Sequence, residues 1–68
     1  MVEVNVAQLR ALRINEGLSQ RELAERAGVA NNSVWKMERG GSVRPATLKK
    51  IADALGVKPT DLLKEGRS

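Results

Sequence analysis

Apolar residues along this 68-residue chain recur mainly three and four positions apart, the spacing of helices that bury one face. Five helical segments follow from that spacing and from the cap residues between them. In the first, Asn5 is the cap, Gln8 stands where a capping box needs it, and Val4 and Leu9 are placed as a hydrophobic staple. Val6, Ala7, Leu9 and Leu12 form its apolar side, and it is expected to fray between Asn15 and Gly17. The stretch "LSQRELAERAG" carries the clearest start: Ser19 as cap, Glu22 as its box partner, Leu18 and Leu23 as the staple, and Gly28 just past the end. This second helix is only about two turns long at ~3.6 residues per turn, so tertiary contacts must hold it.

The third segment is expected from Asn31 to Arg39 and is stopped by Gly40. Ala30 offers no capping oxygen, which leaves Asn31 as an alternative cap. "GGSVR" then reads as a turn. Pro45 opens a fourth helix whose inner stripe is Leu48, Ile51, Ala52 and Leu55, ended by Gly56. Pro59 opens a short fifth helix with Leu62 and Leu63. The alternation in "MVEVNV" has strand period, but so short a run predicts no sheet. Residues 1–4 are expected to be a disordered start or, in a sharper reading, an extended arm pairing across a dimer. Residues 65–68 are expected to be a loose tail. The fold class is thus all-α, in one domain over residues 1–68.

Composition narrows the chemistry. The chain has no cysteine and no histidine, which removes disulfides, makes a structural zinc site untenable, and takes away the commonest general base and the best nucleophile. No enzymatic activity and no cofactor are expected. No apolar run has the length of a membrane span or a signal peptide; a cytoplasmic protein without membrane contact is expected. No sensor segment is attached, so no small-molecule effector is expected either.

The net charge of +4 is concentrated in one place: residues 31–50 hold Lys36, Arg39, Arg44, Lys49 and Lys50 against Glu38 alone, and the flanking segments are balanced. A cationic stretch of this kind is the footprint of a polyanion binder, or simply a solvated face. The second and third helices are joined by the short link "GVA". Two helices so joined must cross steeply, as in a helix-turn-helix, with Ala24, Gly28, Val29, Val34 and Met37 inward.

The combination of "LSQRELAERAGV", "SVWKMERG", "RPATLKKIADALGV" and "PTDLL", all within residues 9–64, resembles the phage repressor and Cro-like (XRE-type) helix-turn-helix family. The resemblance implies a compact five-helix, lambda-repressor-like domain. It also implies a double-stranded DNA operator as partner, a third helix docked in the major groove, and a homodimer on an inverted repeat. Placing Asn31 at 0° and turning about 100° per residue puts Val34 and Met37 on a buried side near 270° and Asn32, Trp35, Lys36 and Arg39 on the opposite one. Asparagine amides can pair with adenine, and lysine with guanine or a phosphate. Asn32 and Lys36 are therefore the principal candidate base readers, then Asn31, whose alternative is the cap. Trp35 either presses on a thymine methyl or sugar edge, or folds back on the flank of the third helix. Members of the family commonly carry a polar residue there.

Gln20 begins the second helix, where free N–H groups and the helix dipole favour an anion. The resemblance implies that it clamps a phosphate, and that Ser19, Ser33, Arg39 and Arg44, with Arg10 as a weaker candidate, face the backbone. It also implies an ion pair between Arg13 and Glu38. Val57, Pro59, Leu62 and Leu63 are the candidate dimer surface, with at least one of the two leucines expected to close the core instead. The rival reading is an antitoxin-like module that binds a protein; a steep, log-linear salt dependence separates DNA binding from it. Repression and activation use the same domain and are not distinguished.

Overall fold

Ser19 sets the start of the best-defined helix. Its hydroxyl accepts from the Glu22 N–H at 3.0 Å, and the Glu22 carboxylate accepts from the Ser19 N–H at 2.8 Å. This closed capping box satisfies two free donors at once. In the computed structural model, which describes residues 1–64, the elements in order are β1 (Val2–Glu3), α1 (Val6–Asn15), α2 (Gln20–Ala27), α3 (Asn31–Gly40), β2 (Ser42–Val43), α4 (Pro45–Leu55) and a 3-10 turn (Pro59–Leu62). The expected tail, residues 65–68, lies outside the described residues. Asn5 caps α1 by accepting from the Gln8 N–H at 3.0 Å. Gly28 ends α2 in the left-handed region at φ 73°, a conformation with little cost only for glycine.

Three expectations need correction. The fifth helix is a single 3-10 turn, so the described residues form four α-helices. The segment is too short to propagate: the Lys58 N–H donates to the Asp61 carboxylate at 3.0 Å to open the turn, and Leu63 is already extended, bridged to Val4. The start of the chain is ordered and forms a small antiparallel sheet with the segment read as a turn, Val2 opposite Val43 and Glu3 opposite Ser42. The pairing seen is within the chain. The alternation fits that pairing, since Val4 is buried with Val43 while Glu3 faces solvent. Finally, α3 runs through Gly40 and is ended by Gly41, at φ 79°. A Cβ there would stand 3.5 Å from the Val4 carbonyl oxygen and 3.6 Å from Val6. Gly41 therefore serves both the left-handed stop and the close approach of the first strand.

The core is one cluster to which every element contributes. Leu9, Leu23, Val34, Met37, Ile51 and Leu62 are fully buried. At ~25 cal/mol per Å² of apolar surface, these side chains are what a chain of this size relies on. Leu62 belongs to this core, so it is not available to a dimer surface.

A second, polar centre ties the helices together. The Glu38 side chain, only 5% exposed, takes hydrogen bonds from Arg13 Nε at 2.6 Å and Arg13 Nη2 at 3.1 Å. It also accepts from Gln20 Nε2 at 3.1 Å, and Arg10 Nε lies 3.7 Å away. Arg13 in turn donates to the Leu18 carbonyl at 2.8 Å. One carboxylate on α3 thus fixes α1, the first turn of α2 and the loop between them. Truncating Glu38 strands the Arg13 guanidinium, itself 12% exposed, and leaving one partner of such a pair costs about 3 kcal/mol.

Glu38→Ala is expected to lower Tm by roughly 12 °C or more in a thermal melt; an unchanged Tm would contradict the bracing role. A second expectation concerns pH. The Ser19 backbone N–H, then the Ser19 hydroxyl and the Arg26 charge, hold the Glu22 carboxyl below its usual 4.5 against a small opposing effect of burial. A depressed folded value stabilises above the unfolded value and loses that contribution as pH falls through the folded one. The stability difference between the chain and Glu22→Gln, measured by denaturant unfolding, should be full above the usual carboxylate range and shrink below it.

Candidate nucleic-acid interface

The face of α3 follows from where its apolar residues must go. Val34 and Met37 are fully buried, which turns Asn31, Asn32, Trp35, Lys36 and Arg39 outward, all of them exposed. Ala30 is the cap residue and no side chain closes that cap. Asn31 is accordingly the first residue inside the helix, not its cap. Both asparagines stand in the first turn of α3, where free N–H groups also point outward.

Trp35 is 45% exposed. It neither enters the core nor lies bare: the Arg39 guanidinium sits over its ring, 5.0 Å from the centroid, within the range of a cation–π contact. The pair separates two shallow clefts. One, of about 290 Å³, is lined by Arg10, Arg13, Gln20 and Glu38 along with the pair. The other, about 460 Å³, is completed by Met1, Lys36, Gly40 and Ser42. A third concavity joins Ser33, Lys36, Arg44 and Thr47.

The polar flanks are built from three segments. Gln20 is half-buried with its amide held on Glu38, so it braces α3 against α2 from the first position of its helix. Ser19 is exposed beside it, Arg44 is exposed at the cap position of α4, and Ser33 is half-buried. Arg10 has a side chain 59% exposed, directed at Glu38. The structure therefore brings Arg10, Gln20, Trp35 and Arg39 around one cleft and Ser33, Lys36 and Arg44 around another. It leaves Lys49 on the outside of α4, paired with Asp53 at 3.3 Å. Of the candidate dimer residues, Val57, Pro59 and Leu63 are half-buried.

Two features escaped the sequence reading. The Trp35–Arg39 stack was signalled by its i, i+4 spacing, which brings two side chains onto one helix face. The approach of Met1 to Trp35 and Lys36 had no such signal, because it depends on the β1–β2 pairing. Among the described residues no cluster of acidic side chains is placed to hold a metal ion, and no helix is long and apolar enough to cross a membrane.

Comparison with known proteins agrees with this geometry. A helix-turn-helix family model, HTH_3, matches residues 9–62. The HTH-type transcriptional repressor RghR of Bacillus subtilis is 42% identical over 52 residues, a match covering 74% of this chain and 38% of that protein. The chain thus spans about two fifths of the length of that curated relative. Among solved structures, a hypothetical transcription factor, NHTF, from Neisseria superposes with a TM-score of 0.79 at 34% identity, over 90% of this chain and 71% of that one. The restriction-modification controller protein C.AhdI from Aeromonas hydrophila gives 0.76 at 37% identity, over 82% and 86%. With four-fifths of its length matched by the family model, the chain belongs to the HTH_3 (XRE-type) helix-turn-helix family of transcription regulators.

Proposed function

We propose that this chain is a sequence-specific double-stranded DNA-binding transcription regulator that lays α3 in the major groove. The observation that carries the reading is the division of α3 itself: two fully buried apolar residues on one side, and two asparagines, a lysine and an arginine exposed on the other. Asn32 and Lys36 are the principal base readers, with Asn31 beside them. Their amides and ammonium offer the donors and acceptors that adenine and guanine edges complement. Ser19, Gln20, Ser33, Arg39, Arg44 and Arg10 surround them as backbone contacts, which supply affinity and register without sequence information. Gln20 is suited to this because the amide that braces Glu38 keeps a second N–H free.

A single domain of this size reaches few base edges, so the chain acts as a homodimer on an inverted repeat, its two reading helices about 34 Å apart. Val57, Pro59 and Leu63 form the contact between protomers. The naming of RghR as a repressor supports repression over activation. The protein acts where its operator is, in the cytoplasm.

Selection of bound duplexes from a random pool, at stated salt, should return one inverted repeat. On that site log K should fall linearly with log salt. Asn32→Ala and Lys36→Ala should each lose about ten-fold or more in specific affinity and relax the base preference at one position. Arg44→Ala should instead weaken all sequences alike and reduce the salt slope by about one. Recovery of no preferred duplex, or salt-independent binding, would overturn the reading.

A further inference from the structure

Trp35 is the one member of the exposed α3 face that amide and cation chemistry does not employ. Its indole is 45% exposed and lines one cleft with the exposed Met1, so the two form an apolar surface and not an isolated residue. Arg39, one turn later, lies over the ring at 5.0 Å. That stack favours one orientation of the indole on the outer side of the helix. Trp35 and Arg39 together wall two clefts of different character, one shared with Arg10 and Gln20 and the other floored by Met1, Gly40 and Ser42. Among the described residues no carboxylate lines the second cleft, and the only one in the first is Glu38, already committed to Arg13.

An apolar surface set in a cationic surround suits a polyanion that carries methyl groups. In the major groove the thymine C5-methyl is such a group, and it is read by apolar contact. The position along α3 agrees. At ~1.5 Å per residue, Trp35 stands about 4.5 Å beyond Asn32 and about 1.5 Å before Lys36. At ~3.4 Å per base-pair step, that puts it level with the bases its neighbours address. Angularly it falls between Asn31 and Asn32, at about 40° on the scale that sets Asn31 at 0°.

We propose that the Trp35 indole, positioned by Arg39, reads a thymine C5-methyl group in each operator half-site and so selects thymine over cytosine there. The proposal rests on the DNA-binding reading above and adds to it a named specificity determinant and the chemical group that it recognises. Arg39 acts on this selectivity through the ring, as a positioning residue, and contacts the backbone with the remainder of its donors. Covering one methyl is worth about a four-fold difference in affinity per half-site.

The test uses the duplex recovered by selection, with its thymines replaced one at a time by deoxyuridine. That change removes the methyl and leaves every hydrogen-bonding group in place. The unmodified chain should lose about four-fold per half-site at one thymine. Trp35→Ala should bind more weakly but show no loss on that replacement, Trp35→Phe should keep part of it, and Arg39→Ala should diminish it at the same thymine. The emission of Trp35, the only tryptophan in the chain, should change on adding the duplex. Insensitivity of the unmodified chain to every replacement overturns the proposal while leaving DNA binding intact. So does an equal loss in Trp35→Ala, or undiminished binding by Trp35→Ala, the result expected if the indole covers a protein partner. Failure to select any duplex overturns the proposal and the reading beneath it together.

Discussion

The Glu38 carboxylate is the constraint on which the exposed face of α3 depends. Its side chain is nearly excluded from water, yet it comes from the only acidic residue in the cationic middle of the chain. Unpaired, it would be costly to bury; turned outward, it would repel a polyanion. Arg13 and Gln20 remove both problems by converging on it from α1 and α2. The result is mechanical as well as electrostatic. With Val34 and Met37 seated in the core and Glu38 pinned at its edge, α3 has no freedom to roll. Asn31, Asn32, Trp35, Lys36 and Arg39 are held outward as a group.

In the proposed reading, most of the affinity comes from the flanks of this surface and the selectivity from α3. The flanking residues on α1, α2 and the start of α4 belong to an electrostatic frame that is indifferent to sequence. The α3 side chains differ from one another in chemistry: amides, an ammonium, and an indole under a guanidinium. In that reading each complements a different feature of a base edge. Gln20 joins the two parts, since the same amide that touches Glu38 stands at the N-terminus of α2. A contact to Gln20 is therefore also a contact to the brace that sets α3.

Much of this was legible in the sequence because the signals were local. Ser19 with Glu22, Asn5, Gly28 and Pro45 mark helix ends by backbone chemistry that acts over three or four residues. The angular position of Val34 and Met37 defines the α3 face by simple rotation. What was not legible depends on contacts distant in sequence. Val2 and Glu3 form a strand only because Ser42 and Val43 lie beside them. Leu63 is extended only because Val4 bridges to it, and that pairing limits the last element to a 3-10 turn. Gly40 and Gly41 are equivalent as stop signals until the approach of Val4 and Val6 favours the second. Arg10 and Gln20 reach Glu38 across gaps that no periodicity reveals.

The central claim is that α3 presents its amide, indole and cationic side chains to the duplex. Titrating the isotope-labelled chain with the selected operator and following side-chain N–H resonances tests it most directly, because the Asn31 and Asn32 amides and the single indole report individually. The account predicts that these signals, with the backbone of α3 and the first turn of α2, carry the largest shifts. Large shifts confined to α4 and the 3-10 turn, with the α3 side chains silent, would contradict it.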